Sequence, residues 1–121
     1  IISEINFSQI TFSRRKLRTI IYNLINNAIK FKSEERQPKI VVSTNKEGDF
    51  IVISVKDNGI GIAENNLEAI FSKYYRLENA IEGSGIGLYL VKEIVSNAGG
   101  KVLVKSQLDK GSEFQVFLKA D

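Results

Sequence analysis

The chain has 121 residues, a net charge of +3, and neither cysteine nor histidine. This length fits one domain, since a chain of this size can bury roughly two-thirds of its surface on folding. The missing cysteines exclude disulfides and thiolate metal sites, and the missing histidines exclude an imidazole acid, base or phosphoacceptor within these residues. No apolar run approaches the ~20 residues of a membrane span, and the first residues carry no signal pattern. We expect a soluble domain cut from a longer protein, because the chain begins abruptly in strand-like sequence.

The basic residues are concentrated at one point only, in residues 14–18. That cluster has no interleaved aromatic residues, which nucleic-acid-binding surfaces commonly carry. Such a run is more often the solvated start of a helix. The small positive surplus is weak support for an anionic partner, and no nucleic-acid partner is predicted.

The first predicted elements are a short edge strand over residues 4–10 and a long helix over residues 14–32. Ile5 and Phe7 take alternate positions in the strand, and Ser13 is a suitable N-cap for the helix. The apolar residues of the helix recur at helical spacing and fall within an arc of roughly 140°. They are Leu17, Ile20, Ile21, Leu24, Ile25, Ala28 and Phe31.

A polar stripe borders that apolar arc. Asn23, Asn27 and Lys30 fall within about 60° of one another on the helix, beside the Ile20 and Phe31 side of the arc. Asparagine is a poor helix former, so two on one stripe need a reason. Either these side chains simply face solvent, or they line a pocket.

A predicted antiparallel hairpin follows, formed by residues 39–45, a turn over residues 46–49 and a strand from Phe50 to Asp57. The period of two puts Asp57 on the same face as Ile51, Ile53 and Val55. A carboxylate aimed toward a core is costly unless it is hydrogen-bonded. Two interpretations stay open: Asp57 is the floor of a ligand pocket, or it caps the strand and starts an Asp-Asn-Gly turn.

The second half of the chain predicts a short helical piece, a lid, a helix and a hairpin. The short piece covers residues 64–70 with Leu67 and Ile70 inward, and residues 71–82 form a candidate mobile lid. The helix starts near Gly85 and ends at Gly99 and Gly100, a pair suited to a left-handed C-cap. Its predicted buried side consists of Leu88, Val91, Ile94, Val95 and Ala98. Strands over residues 102–106 and 113–118, joined by a turn at residues 109–111, close the chain.

This order of elements predicts an α/β two-layer sandwich, in which a mixed, mostly antiparallel sheet carries three helices on one face. Glycines at positions 83, 85 and 87 open the last helix, and free N–H groups at such a point can bind an anion. A Rossmann site is disfavoured because no strand precedes these glycines, and a Walker loop is excluded because no Gly-Lys-Ser/Thr follows.

Four segments, in this order, resemble the nucleotide-binding boxes of the GHKL ATPase superfamily, most closely those of the catalytic and ATP-binding domain of sensor histidine kinases. NLINNAIKF (residues 23–31) resembles the N box and DNGIGI (residues 57–62) the first glycine box. IFSKYYR (residues 70–76) resembles the F box, and EGSGIGLYLVKEIV (residues 82–95) the second glycine box. The fold that this resemblance implies is the Bergerat α/β sandwich.

The resemblance implies ATP and Mg²⁺ as cofactors and gives roles to individual residues. Asp57 would accept a hydrogen bond from the adenine amine, and Asn27 would bind Mg²⁺ with help from Asn23. Lys30 and Arg76 would neutralise phosphate charge, which makes these two residues and the two asparagines the implied catalytic set. The other implied nucleotide contacts are Phe31, Gly59, Gly61, Ile62, Tyr75, Gly83, Ser84, Gly85, Ile86, Gly87 and Leu88. Phe117 is a further candidate for apolar contact near the base.

The residue at the position of Asn23 distinguishes branches of the superfamily. In the gyrase, chaperone and anti-sigma kinase branches a glutamate at this position acts as general base, which an asparagine cannot do. The resemblance therefore favours a histidine kinase, whose neutral acceptor is itself a nucleophile. The alternatives are a nucleotide-binding regulatory module without phosphotransfer and a GHKL-type ATPase.

The implied partners are a histidine-bearing dimerisation domain of the same parent protein and a response regulator receiver domain. Residues 1–121 would then be a single catalytic domain, monomeric in isolation, with the dimerisation and phosphoacceptor domain absent from them. The implied location of the domain is the cytoplasm. This location is compatible with a parent protein that is anchored in a membrane and carries the domain on its cytoplasmic side.

Overall fold

The computed structural model describes residues 2–4, 14–71 and 87–119, with side chains described for the last two ranges. The elements in chain order are β1 (Ile2–Glu4), α1 (Arg14–Lys30), β2 (Ile40–Glu47), β3 (Phe50–Asp57), α2 (Gly87–Asn97), β4 (Lys101–Gln107) and β5 (Gly111–Lys119). Two single 3₁₀ turns, Glu64–Asn66 and Ala69–Phe71, lie between β3 and α2.

The strands form one five-stranded sheet in the order β1-β2-β3-β5-β4. β1 pairs in parallel with β2, whereas the other neighbouring strands pair in antiparallel fashion. The prediction of a mixed, mostly antiparallel sheet is confirmed. β1 lies at an edge of the sheet and shares only Glu4 with the edge strand predicted over residues 4–10. Residues 5–13, including the predicted cap Ser13, lie outside the described residues.

The core lies between one face of the sheet and the helices. Because side chains alternate along a strand, β2, β3 and β5 send alternate residues to this layer. The inward set on the strands is Ile40 and Val42 from β2, Ile53 and Val55 from β3, and Phe114, Val116 and Leu118 from β5. The helical layer covers them with α1, α2 and the 3₁₀ segment, whose Ile70 is buried. The α/β two-layer sandwich with helices on one face is confirmed.

The predicted amphipathic face of α1 is also confirmed. Leu17, Ile20, Leu24 and Ala28 are buried, while Ile21 and Ile25 form its half-buried border. Phe31, directly after the helix, is half-buried as well. Fully burying an aliphatic side chain of this size contributes about 1.5–3 kcal/mol, so this face fixes α1 on the sheet. The helix ends at Lys30, two residues before the predicted end.

α2 ends through glycine, as predicted. Gly99 has a φ of 78°, its N–H donates to Ser96 O at 3.1 Å, and the N–H of Gly100 donates to Val95 O at 2.9 Å. This pair of bonds is a Schellman motif. The helix therefore stops at Asn97, and the prediction that Ala98 is buried is wrong: it lies in the exposed turn beyond the helix.

Further boundaries differ from prediction. The last two strands are longer than the predicted ranges 102–106 and 113–118, and Gly111 belongs to β5 rather than to the turn. β2 continues to Glu47, because Glu47 still pairs with Phe50, so the hairpin turn consists of residues 48–49 rather than residues 46–49. The short helical piece is two 3₁₀ turns rather than one α-helix, although Leu67 and Ile70 pack inward as predicted.

Candidate functional site

Asp57 stands at the end of β3, on the strand face that carries the buried Ile53 and Val55. Its side chain is half-buried, and its Oδ1 accepts a hydrogen bond from the N–H of Gly59 at 2.8 Å. Burial raises the pKa of the Asp57 carboxyl above its ordinary value of 3.8, against the opposing effect of hydrogen bonds from the backbone of Gly59 and Ser112. The carboxyl thus starts an Asx turn and also faces inward, so the two interpretations left open by the sequence do not exclude each other.

The turn after Asp57, residues 58–61, packs against the end of the N-box segment. The N–H of Ile60 donates to Phe31 O at 2.9 Å. A Cβ added to Gly59 would overlap that same carbonyl oxygen, so only glycine permits this approach. The first predicted glycine box and Phe31 are therefore in direct contact.

The polar stripe on α1 is half-buried throughout, so Asn23, Asn27 and Lys30 do not simply face solvent. The Nδ2 of Asn23 donates to Thr19 O, one helical turn earlier, at 2.7 Å. That bond uses one hydrogen of the Asn23 amide. The Oδ1 of Asn23 is the atom of this side chain that can accept a hydrogen bond or bind a cation. The side chains of Asn27 and Lys30 make no hydrogen bond or ion pair with another described residue.

The amino-terminal end of α2 lies beside Asn23. A Cβ added to Gly87, the first residue of α2, would lie 2.9 Å from the Oδ1 of Asn23. Free N–H groups at the start of a helix favour anions. An amide oxygen on one helix and the positive end of another thus come together here.

α1 connects these two regions. Asn23 and Phe31 are eight residues apart, which corresponds to about 12 Å along a helix. Asn23, the first residue of the stripe, lies beside the start of α2, and Phe31 lies beside the Asp57 turn. Asn27 and Lys30 lie between Asn23 and Phe31 along the chain. The fold thereby brings three separately predicted segments to one border of the helical layer.

The remaining predicted site residues fall into three groups. Tyr75, Arg76, Gly83, Ser84, Gly85 and Ile86 lie outside the described residues, as does the predicted lid from residue 72 onward. Ile62 is buried in the core, and Leu88 is half-buried against it. The suggested contact of Phe117 with the base is wrong, because β5 places this residue on the opposite sheet face, where its ring meets Phe50 edge-on at a centroid distance of 6.0 Å.

Three residues that hydrogen-bond the backbone of residues 58–62 were not predicted from the sequence. Ser106 accepts a hydrogen bond from the N–H of Ile62 at 2.7 Å, Asp109 donates its N–H to Ile60 O at 2.8 Å, and Arg36 bonds to three carbonyl groups nearby. Ser106 and Asp109 belong to the hairpin of β4 and β5, more than 40 residues away in the chain. Such pairings leave no local sequence signal.

The two asparagines of the polar stripe, Asn23 and Asn27, carry amide oxygens. Within residues 14–71 and 87–119, no group of three His, Cys, Asp or Glu residues is placed to hold a metal ion. Mg²⁺ accepts amide and phosphate oxygens and retains several waters, so the amide oxygens of Asn23 and Asn27 suit such an ion.

Comparison with known proteins decides the family. Residues 13–121 match the family model described as histidine kinase-, DNA gyrase B-, and HSP90-like ATPase. The chain belongs to this family. The resemblance to the GHKL ATPase superfamily that the sequence indicated is thereby confirmed.

Individual relatives agree with this assignment. The chain is 36% identical over 106 residues to the sensor protein RprX of Bacteroides fragilis, which covers 84% of this chain and 20% of the relative. The fold is similar to the catalytic domain of histidine kinase ThkA, with a TM-score of 0.80 at 24% identity, covering 98% of this chain and 76% of that one. Full-length ShkA in complex with AMPPNP gives a TM-score of 0.75 at 28% identity, covering 87% of this chain and 21% of that one.

The chain spans 20% of the length of RprX, 12% of the histidine kinase FilI of Methanothrix harundinacea and 31% of the histidine protein kinase SaeS of Staphylococcus epidermidis. The relatives are multidomain sensor kinases, so this domain corresponds to one part of such a protein. None of the helices in the described part of the chain is long and apolar enough to cross a membrane.

Proposed function

We propose that this domain binds Mg²⁺-ATP and donates the γ-phosphoryl group to a histidine on a separate dimerisation domain. The observation that carries the proposal is the arrangement along α1, which joins the inward carboxyl of Asp57 to the start of α2 through a half-buried polar stripe. Family membership and the AMPPNP complex of the similar protein ShkA support the choice of nucleotide.

The adenine end of the proposed site is Asp57. Its carboxylate would accept a hydrogen bond from the exocyclic amine of adenine, which offers two N–H donors. The Asx turn holds one carboxylate oxygen through Gly59, which fixes the orientation of the group. Ile62 and Leu88 would supply apolar surface nearby.

The phosphate end is the polar stripe of α1 together with the start of α2. Lys30 would neutralise phosphate charge, and the backbone of residues 83–87 would bring N–H groups to the phosphate oxygens. The amide oxygens of Asn27 and Asn23 would hold Mg²⁺, which supplies charge stabilisation for the phosphates when bound. Tyr75 and Arg76 of the F box would contact the nucleotide from the lid.

Asn23 favours phosphoryl transfer over hydrolysis. The amide of Asn23 takes no proton at neutral pH, so it cannot activate water as a general base. A neutral histidine attacks the γ-phosphorus with its own nitrogen lone pair, and the bond from that phosphorus to the leaving ADP oxygen breaks. The domain then needs to position ATP and stabilise the spreading charge.

The acceptor histidine must lie outside these 121 residues, because they contain none. We propose a histidine-bearing dimerisation domain of the same parent protein, and a response regulator receiver domain as the next acceptor of the phosphoryl group. Both partners, and a cytoplasmic setting for the domain, would follow from its role in a sensor kinase.

Nucleotide binding is tested by titrating the domain with ATP and Mg²⁺ and comparing Asp57→Asn with the wild type. Hydrogen bonds to charged groups contribute about 1.5–3 kcal/mol, so the variant should bind ATP about 10- to 150-fold more weakly. Asp49→Asn, in the exposed hairpin turn of β2 and β3, is the matched control and should bind ATP like the wild type. Equal affinity of Asp57→Asn and wild type would refute the adenine assignment.

Phosphotransfer is tested by mixing the domain with the histidine-bearing helical domain of its own parent protein and γ-labelled ATP. The proposal predicts an acid-labile label on histidine. Binding of ATP without any label on histidine would instead indicate a regulatory nucleotide-binding module.

A further inference from the structure

Arg36 connects three segments of the chain. It lies in the loop between α1 and β2, and the residue is half-buried. Its Nε donates to Asn58 O at 2.6 Å, and its Nη2 donates to Gly59 O and to Asp109 O, both at 2.7 Å. One side chain therefore joins the α1–β2 loop, the Asp57 turn and the β4–β5 turn.

The backbone of residues 58–60 is fully hydrogen-bonded. Its three N–H groups donate to nearby oxygens: Asn58 to Lys39 O at 3.2 Å, Gly59 to Asp57 Oδ1 at 2.8 Å, and Ile60 to Phe31 O at 2.9 Å. Of its three carbonyl groups, that of Ile60 accepts from the N–H of Asp109, and those of Asn58 and Gly59 accept from Arg36. Arg36 is thus the side chain that satisfies the two carbonyl groups directly after Asp57.

The contacts require the shape of arginine. A guanidinium is a rigid planar fork, and donors on one of its edges can meet two adjacent carbonyl oxygens together. A lysine ammonium carries the same charge as a single point on a flexible stem, so it cannot hold both carbonyls and the β4–β5 turn in one plane.

We propose that Arg36 is a positioning residue for nucleotide recognition, which acts by fixing the Asp57 turn. This inference rests on the proposed function. Gly59 lies between the two contacts: its carbonyl is held by Arg36, and its N–H holds the Oδ1 of Asp57. Loss of the fork frees the turn and, with it, the orientation of the carboxylate that accepts the adenine amine.

The test compares Arg36→Lys and Arg36→Gln with the wild type in titrations with ATP and with GTP. Adenine presents an amine where guanine presents a carbonyl oxygen, so a fixed carboxylate discriminates between them. Both variants should bind ATP at least about tenfold more weakly, and the preference for ATP over GTP should fall by a similar factor. Arg18→Lys, at an exposed position of α1, is the matched control and should keep both affinities.

A second measurement needs no nucleotide. Amide hydrogen exchange in the free protein should be faster for Gly59 and Ile60 in the Arg36 variants, by about tenfold, and unchanged for Ile53 in the core of the sheet. Unchanged exchange at Gly59 and Ile60, or an equal loss of ATP and GTP affinity, would overturn the positioning role. A wild-type domain that binds no ATP would overturn the proposed function, and the role of Arg36 in nucleotide recognition with it.

Discussion

A single carboxyl group, that of Asp57, satisfies two demands. It ends β3 and starts the turn by accepting the N–H of Gly59, and it is half-buried at the border of the core. Desolvation is the larger influence on its pKa, which is raised despite the hydrogen bonds from Gly59 and Ser112. A purely structural turn does not require a desolvated carboxylate. A carboxylate that binds an amine forms a stronger hydrogen bond when it is desolvated.

The raised pKa of Asp57 predicts a pH dependence of stability. Between 3.8, the ordinary pKa that we expect in the unfolded chain, and the higher pKa of the folded state, the folded domain holds more protons than the unfolded one. The free energy of unfolding contributed by this group therefore falls as the pH rises through that window, and changes no further above the folded pKa.

Urea unfolding of the wild type and Asp57→Asn at a series of pH values measures this contribution. The free energy of unfolding of the wild type minus that of the variant should decrease as the pH rises from 3.8 and then level off. A difference that increases with pH over the same range would contradict the raised pKa.

At the scale of elements, the site depends on how the Asp57 turn packs against the hairpin of β4 and β5. Gly61 has a φ of 77°, and a Cβ added there would overlap Gln107 O. Ser106 of β4 accepts the N–H of Ile62, just after this turn. The second hairpin therefore acts as a support for a loop that belongs to the first.

Gly61→Ala should be far more destabilising than Gly48→Ala. Both glycines have a positive φ, so each alanine costs about 1–2 kcal/mol for the left-handed backbone. Gly48 has nothing within 4 Å of an added Cβ, whereas Gly61 also meets the backbone of Gln107 and Leu108, which adds about 1–3 kcal/mol for overpacking.

The two glycine variants are compared by the change in the free energy of unfolding in urea. Gly48→Ala is the matched control for the backbone conformation alone. An equal loss of unfolding free energy in the two variants would contradict the close contact between Gly61 and the hairpin of β4 and β5.

At the scale of the whole molecule, one face of the sheet carries the helices and the core, and the proposed site lies at the border of that layer. The proposed ligand would contact α1, the Asp57 turn and α2, elements that are distant in the chain. A ligand that binds only the folded state stabilises the whole domain, by about 2.7 kcal/mol at a concentration 100-fold above its Kd.

Unfolding in the presence of ATP tests this linkage. Saturating ATP with Mg²⁺ should raise the free energy of unfolding of the wild type by about 2–3 kcal/mol. Chelation of Mg²⁺ should reduce the gain, because the phosphates then lose their counter-ion. Asp57→Asn should gain much less at the same concentrations, and an equal gain in the variant would contradict binding at this site.

The sequence by itself determined the order of the helices and strands and the fold class, because these depend on local periodicity. The apolar arc of α1, the alternation in β3 and the Gly99 cap of α2 each contain their signal within a few residues. The sequence also indicated which polar side chains needed an explanation, Asp57 on an apolar strand face and the asparagines bordering the core face of α1. The identity of Asn23 in place of a glutamate came from the sequence as well.

Only the tertiary structure decided which elements meet. The contact of Gly87 with Asn23 and the approach of Gly59 to Phe31 depend on how the helices and the Asp57 turn pack together. Arg36 likewise bonds to Asn58, Gly59 and Asp109, which lie 22, 23 and 73 positions further along the chain, so these bonds also depend on the tertiary packing. Local patterns record burial and backbone conformation, but pairing across such distances depends on how the layers pack.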